Sequence, residues 1–122
     1  AITMNRSRLL ADAKAKAIEL ADAGYVQPIP RTDIKVLGNQ GLGIVYVGSD
    51  SMRAGKYISD HDKKISEKLG YVMCGGELSA PTEVSEQYLL DLERKAFLEL
   101  CAERKTLERI QHMLTKGKPL RN

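Results

Sequence analysis

A chain of 122 residues, 43% of them apolar, is about one domain long and can bury a modest core. With five Tyr, one Phe and no Trp, that core must come mainly from Leu, Ile, Val, Met and Ala, which bring less area per residue than aromatic rings. The net charge of +3 is uneven, residues 103–122 holding six Lys or Arg against two Glu, but too few cations and no stacking aromatics accompany it for a nucleic-acid partner.

Residues 5–23 carry Leu9, Leu10, Ala13, Ala17, Leu20 and Ala21 on one helical face, with charges opposite. Asn5 or Ser7 can cap the start of this helix and Gly24 can stop it. Pro28 and Pro30 in the following stretch forbid helix and favour an extended spacer between helices. Ile34-Lys-Val-Leu has the composition of a short strand. Residues 42–54 are ambiguous, β-branched at Ile44, Val45 and Val47, and we favour helix because Ser-Asp-Ser-Met-Arg-Ala-Gly follows. Ser59-Asp-His-Asp opens another helix with a capping signature, its buried face expected at Ile65, Leu69, Val72 and Met73 and its end at Gly75-Gly76.

A loop of Gly, Ser and Pro then leads to Thr82 or Ser85, either of which can cap a long helix reaching about Ala102. That helix is apolar at Val84, Leu89, Leu90, Leu92, Ala96, Phe97, Leu98, Leu100 and Cys101, so two faces need cover. A last helix over 106–115 brings Leu107, Ile110, Met113 and Leu114 together, and Gly117 and Pro119 end it. The expected fold class is mainly α: about five helices and one extended Pro-containing spacer, in a single helical module over 1–122. Within it, 1–24 is the first helix, 25–81 the spacer and inserted helices, and 82–122 the closing helices.

Few groups point to chemistry. Gly38-Asn-Gln-Gly-Leu-Gly has the outline of a phosphate loop, but its spacing is G-x-x-G-x-G and no G-K-[ST] follows, so a plain turn is the better reading. Asp60, His61 and Asp62 are adjacent on a helix, about 100° apart, and cannot converge on one metal ion; they suit an acidic first turn. His112 reads as a surface or half-buried histidine. No nucleophile motif is present, and Glu83, Glu86, Asp91, Glu93 and Glu99 interleave with Lys and Arg as on a solvated face, with Glu93–Arg94 and Glu99–Arg104 as local charge balance. No catalytic residue and no metal ligand is expected. Cys74 and Cys101 lack C-x-x-C spacing and lie in apolar runs, as reduced thiols of a cytoplasmic protein do. No run approaches the roughly 18 apolar residues of a membrane span, and no secretory signal pattern opens the chain, so neither a membrane nor a nucleic acid is an expected partner.

The basic tail of Arg104, Lys105, Arg109, Lys116, Lys118 and Arg121 is either an anion-attracting surface or a soluble helix end. From the residues alone, the closing helices read as a helical interaction module. Their order is more specific: Leu92-Glu-Arg-Lys-Ala-Phe in a long helix, a polar joint, Met113-Leu114 near the end of the next, then Lys116-Gly-Lys-Pro. Over 83–119 this resembles the closing helices of the crotonase (enoyl-CoA hydratase) family, and the helix over 9–23 is similar to the one that follows the catalytic core there. The middle, 38–76, and the ending Gly-Lys-Pro-Leu-Arg-Asn look like the fused bacterial enzymes joining a 3-hydroxyacyl-CoA dehydrogenase to a hydratase-like domain.

That resemblance implies fatty-acid β-oxidation: hydration of enoyl-CoA and NAD-dependent oxidation of the 3-hydroxyacyl-CoA. The glutamates and oxyanion-hole amides for hydration, and the Rossmann domain for NAD, belong to upstream parts that no stretch here matches. A chain opening on Ala1-Ile-Thr-Met and running almost directly into a helix is therefore expected to be a C-terminal fragment of such an enzyme. The fragment itself would carry no cofactor, NAD and acyl-CoA serving the parent. In the resembled family the closing helices pack on the core, build subunit contacts and reach an acyl-CoA site. By motif position, Met113 stands where those enzymes carry an apolar or aromatic contact to CoA, and Lys116 where a lysine approaches its phosphates. Expected partners are the remainder of the parent enzyme, acyl-CoA and further copies of the chain. The other reading of the same residues is a free-standing helical adaptor or nucleic-acid-binding domain.

Overall fold

The computed structural model describes residues 2–122. In chain order these form a 3-10 turn (Arg6–Arg8), α1 (Leu9–Asp22), β1 (Ile34–Val36), α2 (Asn39–Ala54), α3 (Asp60–Met73), β2 (Thr82–Val84), α4 (Glu86–Cys101) and α5 (Arg104–Lys116). The mainly helical class expected from the periodicity is what the chain adopts. Helices α2, α3, α4 and α5 pack each on the next in series, and β1 pairs with β2.

Start and stop signals act where the sequence places them. The Ser59 hydroxyl accepts from the Asp62 amide while the Asp62 carboxylate accepts from the Ser59 amide, a complete capping box on α3. Of the two candidate caps for α4, Ser85 does the capping, its hydroxyl accepting from the Tyr88 amide. Thr82 is instead in β2, antiparallel to β1 with Ile34 opposite Val84, Lys35 opposite Glu83 and Val36 opposite Thr82. This second strand was not foreseen, because three residues behind Pro81 are too few to show an alternation.

The ambiguous apolar stretch is helical, and α2 begins at Asn39 rather than Leu42. Its early start follows from the glycines. Gly38 has φ +58° and its amide donates to the Cys74 carbonyl at 2.8 Å, and the Asn39 amide donates to the Leu78 carbonyl at 2.8 Å. A Cβ at Gly38 would lie 2.4 Å from the Leu78 oxygen, and one at Gly41 would lie 2.6 Å from Cys74 Sγ. The glycines thus let α2 approach the end of α3 closely, which is the turn reading of this motif. The α2–α3 crossing rests on the same device, since a Cβ at Gly70 would meet Val45 Cγ1 at 2.5 Å.

That close crossing changes the face of α3. Its buried positions are His61 and Gly70. Ile65 and Val72 are half-buried, while Leu69 and Met73, expected inside, are exposed. The buried set is small, comprising Val36, Leu42, Cys74 and Ala96 with the polar Ser49 and His61, and it is spread along α3 from His61 at its start to Cys74 just past its end. Both cysteines are free, Cys74 buried and Cys101 half-buried.

Most large apolar side chains remain on the surface. On α1 every side chain is exposed except the half-buried Asp12, held by Thr3 and Arg8, so the Leu9, Leu10 and Leu20 stripe faces solvent. The helix closes at Gly24 (φ +77°), with the Tyr25 amide donating to the Leu20 carbonyl at 3.0 Å. The extended arm after it is fastened where the Glu86 amide donates to the Arg31 carbonyl at 2.9 Å. On α4 one face is covered, with Ala96 buried and Leu89, Leu92, Leu100 and Cys101 half-buried. The other, Leu90, Phe97 and Leu98, is bare.

Candidate functional site

The basic tail is organised by how α5 docks on α3. Adjacent α3 residues take α5 residues one turn apart: His61 Nε2 lies 3.0 Å from Thr106 Oγ1, and Arg109 Nη1 donates to Asp62 Oδ1 at 2.7 Å. Arg109 Nε also donates to Asn122 Oδ1 at 2.8 Å, and Asn122 Nδ2 donates to Glu108 Oε2 at 2.9 Å, which folds residues 117–122 back along α5. The Ser59 amide and the Arg109 guanidinium hold the Asp62 carboxyl at about 2, below the ordinary 3.8. Burial, with Arg109 close by, pushes the His61 imidazole below its ordinary value, which favours the neutral ring beside Thr106.

Asp60, His61 and Asp62 therefore serve three separate partners. The Asp60 carboxylate accepts from Arg53 Nε at 2.6 Å, His61 faces Thr106, and Asp62 holds Arg109. The acidic-first-turn reading describes their position, but it did not reveal that two of the three fasten the tail. Its one signal was Ser59-x-x-Asp62, the capping pattern; nothing local announces the partners 45 and 47 residues away.

Of the two local charge pairs expected from the sequence, one gives way to a tie between helices and the other shifts to a neighbouring partner on α4 itself. Glu99 pairs with Lys68 of α3 rather than with Arg104, Lys64 reaches Glu103 at 2.6 Å, and Arg94 approaches Asp91 rather than Glu93. Arg104 pairs with Glu108 at 2.9 Å. Sequence spacing favours neighbours on one helix, but once α3 lies beside α4 its lysines stand nearer.

With Arg104 and Arg109 engaged, the remaining tail cations fall into two groups. Lys105 and Arg121 border a cleft beside the α2–α3 turn. Lys116, in the last turn of α5, forms no ion pair among the described residues and stands one turn beyond Met113. Met113 is 46% exposed and its neighbour Leu114 78%. The helix ends there at Gly117 (φ +65°), whose amide donates to the Met113 carbonyl at 2.9 Å. Met113 and Lys116 therefore share one side and one end of α5, with an apolar body and a free ammonium presented to solvent. His112 is half-buried, bordering with Leu107, Ile110 and Leu120 a shallow apolar groove of about 580 Å³.

No described helix is long and apolar enough to cross a membrane. No protein-family model matches the chain, and no solved structure does. Among curated proteins, a "Probable 3-hydroxyacyl-CoA dehydrogenase" of Bacillus subtilis (strain 168) is 48% identical over 121 residues. The match takes in 99% of this chain and 15% of that relative. The chain is thus similar, almost end to end, to a segment of a much longer protein of that description.

Proposed function

We propose that the chain is a non-catalytic, C-terminal helical module of a fatty-acid β-oxidation protein of the 3-hydroxyacyl-CoA dehydrogenase/enoyl-CoA hydratase kind. The observation that carries this reading is the 48% identity running along 99% of the chain to 15% of the dehydrogenase relative. In this reading the module's closing helices are crotonase-like, and its work is assembly. The bare stripe of α1 and the bare face of α4 pack against the rest of the parent protein, where NAD and the reacting carbons are held. Met113 and Lys116 contribute to acyl-CoA, the thioether lying along an apolar part of the ligand and the ammonium facing its phosphates.

Burying the bare α1 side chains accords with hydrophobic burial at about 25 cal/mol per Å², which gives an otherwise solvated helix a reason to be in the fold. For Lys116, loss of one charge-assisted phosphate contact corresponds to about 1.5–3 kcal/mol, a factor of roughly 10 to 100 in affinity. Calorimetric titration of the chain with acetyl-CoA, repeated on Lys116→Ala and Met113→Ala, tests the ligand contact. Saturable binding weakened by both changes supports it, whereas identical isotherms for all three proteins refute it. Hydratase or dehydrogenase turnover by the purified chain would refute the non-catalytic assignment.

A further inference from the structure

A second surface lies at the other end of α5, roughly 16 Å from Lys116 by the rise of eleven residues. An open cleft of about 660 Å³ is bordered by the end of α2, the α2–α3 turn, the start of α5 and the final residues, with Arg53, Lys56, Tyr57, Asp60, Asp62, Lys105 and Arg121 on its walls. Its two side-chain carboxylates are already engaged, Asp60 by Arg53 and Asp62 by Arg109, and Arg109 also donates to the backbone oxygen of Asn122 at the cleft's edge. Lys56, Lys105 and Arg121 form no ion pair among the described residues. The charge left free in the cleft is therefore positive, and it comes from three separate places in the chain.

Two of these cations sit where local physics disfavours them. α2 ends in a Schellman turn, the Tyr57 amide donating to the Met52 carbonyl at 3.0 Å and the Lys56 amide to the Arg53 carbonyl at 2.9 Å. In that motif the left-handed position belongs to glycine; here Lys56 occupies it with φ +61°, the one described non-glycine residue at positive φ. The neighbouring Gly55 does not take that position, its own φ being −74°; it instead makes room for the Tyr57 ring, 2.7 Å from where a Cβ would stand. Lys105 is the second residue of α5, at the positive end of the helix dipole, where no acidic residue occupies the first turn and no side chain caps the free amides. A bound anion would offset the repulsion of Lys105 by the helix end beyond what Asp60 and Glu108 supply, and it would give the strained placement of Lys56 a use.

We propose that this cleft binds the phosphate group of a phosphorylated ligand, gripped by Lys56, Lys105 and Arg121. The proposal is independent of the acyl-CoA reading, since it uses neither Met113 nor Lys116. The test follows amide chemical shifts of the ¹⁵N-labelled chain during titration with inorganic phosphate and, separately, ADP, at ionic strength held constant with chloride. Saturable shifts at residues 53–58 and 104–106 are expected with at least one of the two. Inorganic phosphate alone would mark a free-anion site, ADP alone a site for phosphate carried on a nucleotide, and either supports the cleft. Lys105→Ala and Arg121→Ala should each weaken binding about five- to tenfold, while Arg94→Ala on α4 should not. Lys56→Gly separates strain from binding, with the thermal midpoint held or raised and affinity falling about fivefold. Absence of saturable shifts with both probes, or unchanged affinity in the Lys56→Gly, Lys105→Ala, Arg121→Ala triple variant, would overturn the proposal.

Discussion

Replacing Asp62 with Asn removes one carboxylate from two structures at once, the α3 capping box and the tie from α3 to Arg109 of α5. In the folded chain this carboxyl titrates at about 2, against the ordinary 3.8. At about 1.36 kcal/mol per pKa unit this corresponds to roughly 2.5 kcal/mol. With the Asp62 side chain 24% and the Arg109 side chain 19% exposed, solvent screening brings the expected loss to about 2 kcal/mol, or about 8 °C in thermal midpoint at ~4 °C per kcal/mol. Because the folded value is depressed, the contribution is complete above about pH 5, declines as pH falls through the interval between 3.8 and about 2, and is gone below it. Circular-dichroism melts of the wild-type chain and Asp62→Asn from pH 7 to pH 2 provide the assay. Other carboxylates titrate in both proteins and cancel in the difference. The gap should be about 8 °C at pH 7 and close by pH 2. A variant as stable as wild type at pH 7, or a gap that ignores pH, refutes the reasoning.

Gly70→Ala places a methyl group 2.5 Å from Val45 Cγ1 and should cost about 1–3 kcal/mol in urea unfolding; Val45→Ala in the same chain should recover part of it, and additive losses would show that the two do not touch. Removing residues 2–29 deletes α1 and its arm while keeping the Arg31–Glu86 anchor, so the thermal midpoint should hold within about 2 °C. The same deletion should lower apolar dye binding and self-association seen by sedimentation, and a fall in midpoint of about 8 °C would instead show that α1 packs on the core.

The sequence discloses features that are local and conceals those that depend on one helix meeting another. Ser59, Ser85, Gly24 and Gly117 act on their own neighbours, and each marks a helix end where the pattern puts it. The expected inner face of α3 holds for Ile65 and Val72, which are half-buried, but not for Leu69 and Met73, because apolar periodicity does not show which neighbour a helix meets. The close α2–α3 crossing selects Gly70 and the docking of α5 places Thr106 against His61, while Leu69 and Met73 stay outside. β2 was missed for a similar reason: a three-residue strand exists only through its pairing with Ile34–Val36. At the tail, Met113 and Lys116 are accessible and one turn apart, as their spacing implies, yet residues 104–121 do not act as one basic surface. Arg109 is spent on Asp62, Arg104 on Glu108, and Lys105 and Arg121 turn to a different cleft. Those divisions are decided by partners 47 residues away in sequence or by the folding back of 117–122, which no local pattern encodes.

The central claim is that this chain functions as one part of a longer dehydrogenase-like protein, and the size of the native polypeptide carrying it tests that most directly. If the 13.5 kDa chain forms the same 15% share as in the relative it matches, the whole is about 90 kDa. An antibody raised against residues 83–119 should detect a band near that mass in a freshly denatured lysate of the source cells. Peptides sequenced from the band should include both this chain and a nucleotide-binding domain. A single band at 13.5 kDa, with no larger species, would contradict the account.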